Sequence, residues 1–571
     1  MTVADDLAVW TPAGPVPELG GAPRLLRAGA KRIALFRVGD EVRAVDNRCP
    51  HEGYALTQGS VQDGLLTCVW HNWKFRLSDG GCVLGGEDVR SYPVRVVGGA
   101  VEVDVRDPDP ETLAPGLFSS LLEAMDRVDG SRIARDSTRL LQIGRPVRDI
   151  LRAGLRWGAD RAEFGWDHSL ATVADCLDLA PLMAGRRDAL PAVTALSIVG
   201  SDQQRRPVRP VAEPPAVTDL PGPGDAVAAL RALVEAERAD EAEALFRGLV
   251  RRGDPPALLT RALAVVLSDH FLSFGHDMIF GQKSLELLDQ LGWQDAEWLL
   301  GPHIYGVCLG TREDLLPYLS RFETARREVA GTAVATPLAP AELRSLIPHA
   351  PAAELADAVH RSLDGGRQVE AVLDAIALAA ADRLLAFDPT HEQQRSSDVG
   401  WLDITHTLTF TDAVRDMWRR TREPALLRSV SHAAWFVSRA ARYDARDPVS
   451  PPPPAAAPDS PEALDEVIDT AVQRRDAEAA VAAAQGWLLA GGSEEALEAA
   501  MGRAALTDGA VLPIHVAHVV KTTRAATMER RAVGSGPTSW PLLLGTLRYA
   551  ASPKTERRTL RNVSDAAKFV R

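Results

Sequence analysis

Four residues among the first 71 carry the sharpest chemical signal. They are Cys49-Pro50-His51 and, sixteen residues later, Cys68-Val69-Trp70-His71. One thiol and one imidazole in each of two loops suit a 2Fe–2S cluster in which two thiolates hold one iron and two imidazoles the other. Exchanging thiolates for neutral imidazoles lowers the cluster's negative charge and raises its potential. A Cys2His2 zinc site is the competing reading, but this spacing lacks the C-x2-C pair of a zinc finger. Gly53, Gly59 and Gly64 permit tight loops, and Trp73 with Phe75 are placed to shield the cluster from water.

Such a cluster moves one electron at a time, so a second metal site is expected to receive the electrons. Eleven of the thirteen histidines lie beyond residue 107. His168 and His406 are 238 residues apart, and His276 and His515 are 239 apart, within a weak repeat. Gly165-Trp166-Asp167-His168 resembles Gly400-Trp401 to His406, and Leu309-Gly310-Thr311-Arg312 resembles Leu544-Gly545-Thr546-Leu547-Arg548. Alanine-rich helices also produce chance similarity. A true duplication would bring equivalent histidines together at a pseudo-twofold axis, where four imidazoles suit iron. His515, His518 and Lys521 follow Pro513 at spacings of three, along one side of a helix. A lysine serves a metal only as neutral amine or carbamate; the alternative is a solvated surface lysine. His270 and His303 are candidates for outer positions, while His349, His360, His391 and His432 have no supporting context.

Residues 48–82 resemble a Rieske ferredoxin domain of the type that serves oxygenases. Neither loop carries the extra cysteine of a loop-bridging disulfide, which implies a comparatively low potential. Asn72 departs from the family, where a glycine commonly follows the histidine; no ligand is lost. The later region is similar to the questin oxidase family at 166–175, 274–288, 403–413 and 513–526. That resemblance implies a mononuclear iron on several histidines, with a carboxylated lysine as a further ligand. It places His168, His276 and His406 in the histidine motifs, and His518 with Lys521 in the His-x-x-Lys motif. The repeat favours His515 as the fourth histidine and the motif favours His518, so both remain candidates.

These residues need two kinds of support. Short apolar runs at Arg32–Val38, Glu41–Val45, Leu65–Val69 and Val101–Val105, broken by Gly, Asp and Pro, predict a small antiparallel β domain over 1–107. The prolines of Asp107–Pro110 disfavour a continuing sheet or helix. From 117 to 571 the spacing becomes helical, as in Ala226–Arg251 and Asp476–Ala490. This predicts a large mostly α-helical domain, with halves at 125–335 and 340–571 and Pro-rich loops at 206–224 and 448–461. That texture does not match the β-rich catalytic domain of the common Rieske oxygenases.

The 571 residues and 46% hydrophobic fraction leave ample chain for sizeable cores. A formal charge of −13 argues against nucleic acid or an anionic membrane as the main partner. Neither a secretory signal nor a long apolar span is read from the sequence, so a cytoplasmic location is expected. The five cysteines form no disulfide framework.

The reading that follows is a non-heme iron oxygenase fed by its own Rieske cluster. It would hydroxylate an aromatic or quinonoid substrate with O2, or cleave a C–C bond in it. No dinucleotide fingerprint is present, so a separate NAD(P)H-dependent flavin reductase or a ferredoxin is expected to supply electrons. A homo-oligomer is compatible with this reading. Trp166, Phe274, Phe280 and Phe410 are candidates for either pocket wall or core. The alternative is an electron carrier whose helical array only docks partners.

Overall fold

The computed structural model describes residues 10–16, 21–330, 336–393, 400–446, 451–507, 512–554, 563 and 566–567. The chain folds as two compact units, Met1–Gly116 and Leu117–Arg571.

Among its described residues the first unit holds eleven short strands: β1 (Trp10–Pro15), β2 (Arg24–Ala28), β3 (Lys31–Val38), β4 (Glu41–Asp46), β5 (Ser60–Gln62), β6 (Leu65–Thr67), β7 (Lys74–Arg76), β8 (Cys82–Leu84), β9 (Ser91–Tyr92), β10 (Val94–Val97) and β11 (Ala100–Asp104). They pair as three sheets with orders β1-β11-β10, β2-β3-β4-β9 and β5-β6-β7-β8, antiparallel throughout. Alternate residues of β3 supply two separate cores. Ala34 and Phe36 pack with Cys49, Leu66, Cys68 and Phe75, while Ile33 and Leu35 pack with Val101 and Val103. That division follows from the two-residue period of a strand. The prolines after Asp107 do not block a helix as expected. Pro110 opens one that runs to Asp126 and contains Pro115. A helix's first residue needs no amide donor, so Pro110 fits there, whereas Pro115, the sixth residue, forgoes the bond that an amide would make to the Glu111 carbonyl.

The second unit is helical, and four of its helices form a closed ring. They are α1 (His168–Leu179), α2 (His276–Leu291), α3 (Trp401–Thr421) and α4 (Pro513–Val533), packed α1 on α2, α2 on α3, α3 on α4 and α4 on α1. All four run in the same direction. His168 meets His276 and, seven residues on in both helices, Asp175 meets Lys283. His276 meets His406, and six residues on Gln282 meets Asp412. His406 meets His518, and further along Arg415 meets Glu529. Parallel neighbours cannot be joined by short turns, which explains why about a hundred residues separate successive ring helices.

The intervening chain is helical and repeats its packing. Pro223–Glu235, Ala239–Arg252 and Pro256–Ser268 precede α2, as Pro461–Gln473, Ala477–Leu489 and Glu494–Thr507 precede α4. Opposite members of the ring, α1 with α3 and α2 with α4, are the pairs that the weak sequence repeat would relate. The stretch Ala226–Arg251, with its helical spacing, forms two helices, parted where Glu237 takes φ 55°. The Pro-rich stretch 206–224 is irregular apart from a 3-10 turn at Val217–Asp219 and the start of the Pro223 helix. Of the stretch 448–461, residues 448–450 lie outside the described residues, and Pro461 begins a helix capped by Ser460. Among the described residues no helix is long and apolar enough to cross a membrane.

Candidate metal centres

In the first unit, Cys49 and His51 follow β4, and Cys68 and His71 lie between β6 and β7. The two loops share one backbone pattern. The Cys49 N–H donates to the Tyr54 carbonyl and the Cys68 N–H to that of Trp73, both at 2.8 Å. Four residues after each cysteine, the Gly53 and Asn72 amides donate back to the Cys49 and Cys68 carbonyls. Both of those residues are left-handed, at φ 76° and 61°. Asn72 therefore fills the slot that glycine fills in the first loop, and asparagine tolerates that conformation better than most residues.

Both thiols are buried, whereas the imidazoles reach toward solvent. His51 Nδ1 lies 3.0 Å from His71 Nδ1, with the rings at 77°. Burial first, with Cys68 beside it, pushes the Cys49 thiol up to about 11. A metal ion reverses that preference by binding the thiolate. The Trp73 ring stacks on His51 at 4.8 Å, and Gly85 packs close against the same indole: an added Cβ there would stand 2.5 Å from it. Trp73 thus covers the imidazole, and Phe75 is wholly buried beneath the loops.

In the second unit, His168, His276, His406 and His518 point their Nε2 atoms at one another. Successive separations are 3.1, 2.8 and 3.2 Å, and the ligand atoms of all four lie within 4.8 Å of each other. Local structure sets each ring. His168 is the first residue of α1, where Asp167 caps the helix by accepting from the Ser169 amide. His276 opens α2 after Ser273, Phe274 and Gly275, all at positive φ (47°, 60° and 81°). A Cβ on Gly275 would stand 2.6 Å from the Phe410 ring, so both conformation and space demand glycine there. His406 and His518 are each the sixth residue of their helices.

The Nδ1 atoms of His276, His406 and His518 lie 2.5, 2.5 and 2.7 Å from the carbonyl oxygens of Ser273, Leu402 and Ile514. A carbonyl only accepts, so each Nδ1 carries the proton and each Nε2 presents a lone pair. Burial, reinforced by the neighbouring charges, lowers the basicity of all four rings, His276 down to about 3. Lone pairs at these separations repel unless a cation lies among them. Two nitrogens at right angles, each about 2.1 Å from one ion, stand about 3.0 Å apart, which matches the observed edges. The donor set therefore fits a metal ion. Lys521, one turn after His518, puts Nζ 3.4 Å from His406 Nε2. Burial, with Lys283 adding to it and Asp175 opposing it, lowers Lys521 to about 7.

His515 is not in this group. It sits one turn earlier on α4, with Nδ1 buried and unpartnered, and burial lowers it to about 4. The repeat offset misleads because His518, not His515, reaches the level of the other three along the bundle axis. His270 is bridged by Glu235 at 2.6 Å and Asp314 at 3.2 Å, and His303 bonds the backbone at Asp277. Among the hydrogen bonds of the described residues, neither touches the four rings. Of the aromatic candidates, Phe280 is edge-on to His168 and Phe274 to His406, whereas Phe410 packs on Phe271 and Trp166 bonds the Leu299 carbonyl as core.

A layer below the histidines escapes the sequence reading. Asp175, Lys283, Asp412 and Arg524 stand seven, seven, six and six residues after the ring histidines, alternating in sign around the ring. Lys283 Nζ lies 2.8 Å from both Asp175 and Glu286, and Gln282 donates to Asp412 at 2.8 Å. Burial pushes Asp175 up to about 6 and Asp412 to about 8; it opposes the charge on Lys283, but the surrounding carboxylates hold that charge. An offset of six or seven residues, about two helical turns, from each histidine is the signal that marks these positions.

The fold and ligand geometry of the first unit define an iron–sulfur protein, and residues 9–93 match the Rieske 2Fe-2S domain. Through this unit the chain belongs to the Rieske family. It is 40% identical over 102 residues to the anthranilate 1,2-dioxygenase ferredoxin subunit of Burkholderia cepacia, covering 17% of this chain and 94% of that protein. It is 41% identical over 108 residues to the 3-chlorobenzoate-3,4-dioxygenase oxygenase subunit of Comamonas testosteroni, covering 16% of this chain and 25% of that one. A solved relative is the ferredoxin of carbazole 1,9a-dioxygenase from Nocardioides aromaticivorans IC177, at 25% identity, 17% of this chain, 99% of that chain and a TM-score of 0.16. The chain thus spans nearly all of the ferredoxins but only a quarter of that oxygenase subunit.

Proposed function

We propose that this chain is an oxygenase in which the Rieske cluster, on Cys49, His51, Cys68 and His71, supplies electrons to a mononuclear non-heme iron in the helical unit. His168, His276, His406 and His518 hold that iron, and Lys521, carboxylated, is a fifth ligand. The observation that carries the reading is the convergence of four Nε2 lone pairs whose rings are fixed by carbonyls. When bound, iron supplies the one-electron steps by which O2 reacts with an organic ring.

The chain's own residues do the rest. Three backbone carbonyls orient the imidazoles and keep the proton away from Nε2. Burial keeps all four rings neutral and available. The lowered basicity of Lys521 leaves neutral amine near neutral pH, the form that adds CO2. Carboxylation would then place an anion beside four neutral rings and a cation. Phe274 and Phe280 give the site an apolar, aromatic wall suited to a flat quinonoid or aromatic substrate. A separate NAD(P)H-dependent flavin reductase or ferredoxin delivers the electrons; two of the relatives are ferredoxin components of dioxygenases.

The experiment is 18O2 incorporation. Full-length protein, a flavin reductase with NADH, and a panel of hydroxylated quinones are expected to give labelled product. Cluster reduction with no labelled product from any aromatic substrate would favour the electron carrier.

A further inference from the structure

We infer that the side of the histidine cluster toward the N-terminal ends of the ring helices binds a flat aromatic anion, an ionised phenol or carboxylate, through Arg439. The inference rests on the oxygenase reading above and adds the charge of the substrate.

The path begins at Phe274, edge-on to His406 at 6.4 Å. The Arg439 guanidinium lies 5.4 Å from the centroid of that same ring, 4.4 Å from that of Tyr318 and 5.8 Å from that of Trp435. Tyr318 stacks on Trp435 at 5.9 Å with 14° between the planes. One cation is therefore walled by three rings, and one of those rings touches the edge of a proposed iron ligand. Tyr318 is 38% exposed, so this aromatic patch continues to solvent.

The charge at this place is unbalanced. The Arg439 Nε is buried and has no hydrogen-bond partner. Its carboxylate neighbour Asp403 accepts from Arg442 through Oδ2 at 2.9 Å, and its Oδ1, also buried and unpartnered, stands 3.8 Å from Arg439, beyond hydrogen-bond reach. Glu313 faces the same place, 5% exposed and with Oε2 unpartnered; burial pushes its carboxyl up to about 7, so much of it is uncharged at neutral pH. Two guanidiniums thus meet one full carboxylate. A buried donor without an acceptor is costly, and an anion brought in by a ligand would satisfy it. Aromatic walls favour a planar ring, and the cation selects an ionised substituent on it.

The test compares two isosteric probes, anthraquinone-2-carboxylate and the neutral anthraquinone-2-carboxamide, by fluorescence titration of full-length protein whose iron content has been measured. Wild type is expected to bind the carboxylate about tenfold more tightly than the carboxamide. Arg439→Met should erase that preference while changing carboxamide binding less than about twofold, and Arg439→Lys should keep part of it. Equal binding of the two probes by wild type overturns the inference, whether or not the methionine variant folds. So does an undiminished preference in Arg439→Met. Wild-type protein that prefers the anion but holds no iron beyond the cluster would sink the oxygenase reading and leave this inference standing.

Discussion

His276 and His406 face each other Nε2 to Nε2 across 2.8 Å, and each keeps its other ring nitrogen on a backbone carbonyl, that of Ser273 or Leu402. The carbonyls take the only proton a neutral imidazole has, so two lone pairs meet in a buried site. That arrangement is unfavourable alone and favourable around a cation. It joins α2 to α3, helices more than a hundred residues apart in the chain, so the site exists only when both are folded and packed.

Gly275 holds this relationship in place. Gly275→Ala forces a Cβ into the left-handed region and against the Phe410 ring, which stands 2.6 Å from the ideal Cβ position. A cost of about 1–3 kcal/mol in thermal unfolding is expected, with weaker retention of non-cluster iron. Unchanged stability and iron content would show that the turn before His276 is slack.

Asn72 tests the loop equivalence in the first unit. Because its φ of 61° copies that of Gly53, Asn72→Gly should leave the electron paramagnetic resonance signal of the reduced cluster intact, with stability changed by less than about 1 kcal/mol. Asn72→Val should make the cluster labile. A valine variant as stable as wild type would contradict the shared backbone pattern.

The charged layer under the histidines makes a paired prediction. Lys283→Met leaves Asp175 and Glu286 without their buried cation and should cost about 3–5 kcal/mol in urea unfolding. Replacing Asp175 by leucine as well should recover part of the loss. A single variant within 1 kcal/mol of wild type, roughly the range of exposed pairs, would mean that the layer is hydrated.

Glu313 gives a pH signature. Its folded carboxyl is raised to about 7 from an ordinary 4.5, so the folded state holds a proton that the unfolded state releases. The associated stability is full below about pH 4.5 and is lost as pH rises toward 7. Glu313→Gln removes that loss, so the variant should gain on wild type between pH 5 and 8, by on the order of 2 kcal/mol. A pH-independent difference between the two proteins would place Glu313 in contact with water.

The Rieske domain was legible because its two Cys/His loops lie close in sequence with a spacing that little else shares. Three of the four converging histidines, His168, His276 and His406, were singled out by the weak sequence repeat. The fourth was not: from Pro513 onward the register of α4 shifts by one turn, which favours His518 over His515. The parallel direction of the ring helices was not legible, because helical periodicity carries no information about which way neighbours run. Nor was the break at Glu237, where a helix-favouring run ends in a left-handed residue. The charged layer was hidden because Asp175, Lys283, Asp412 and Arg524 read singly as ordinary surface charges.

Iron stoichiometry tests the central claim most directly. Full-length protein purified anaerobically should contain about three irons per chain, two in the cluster and one on the four histidines. His406→Ala should retain about two, with the signal of the reduced cluster unchanged. Two irons in wild type, or three in His406→Ala, would contradict the assignment of the helical site.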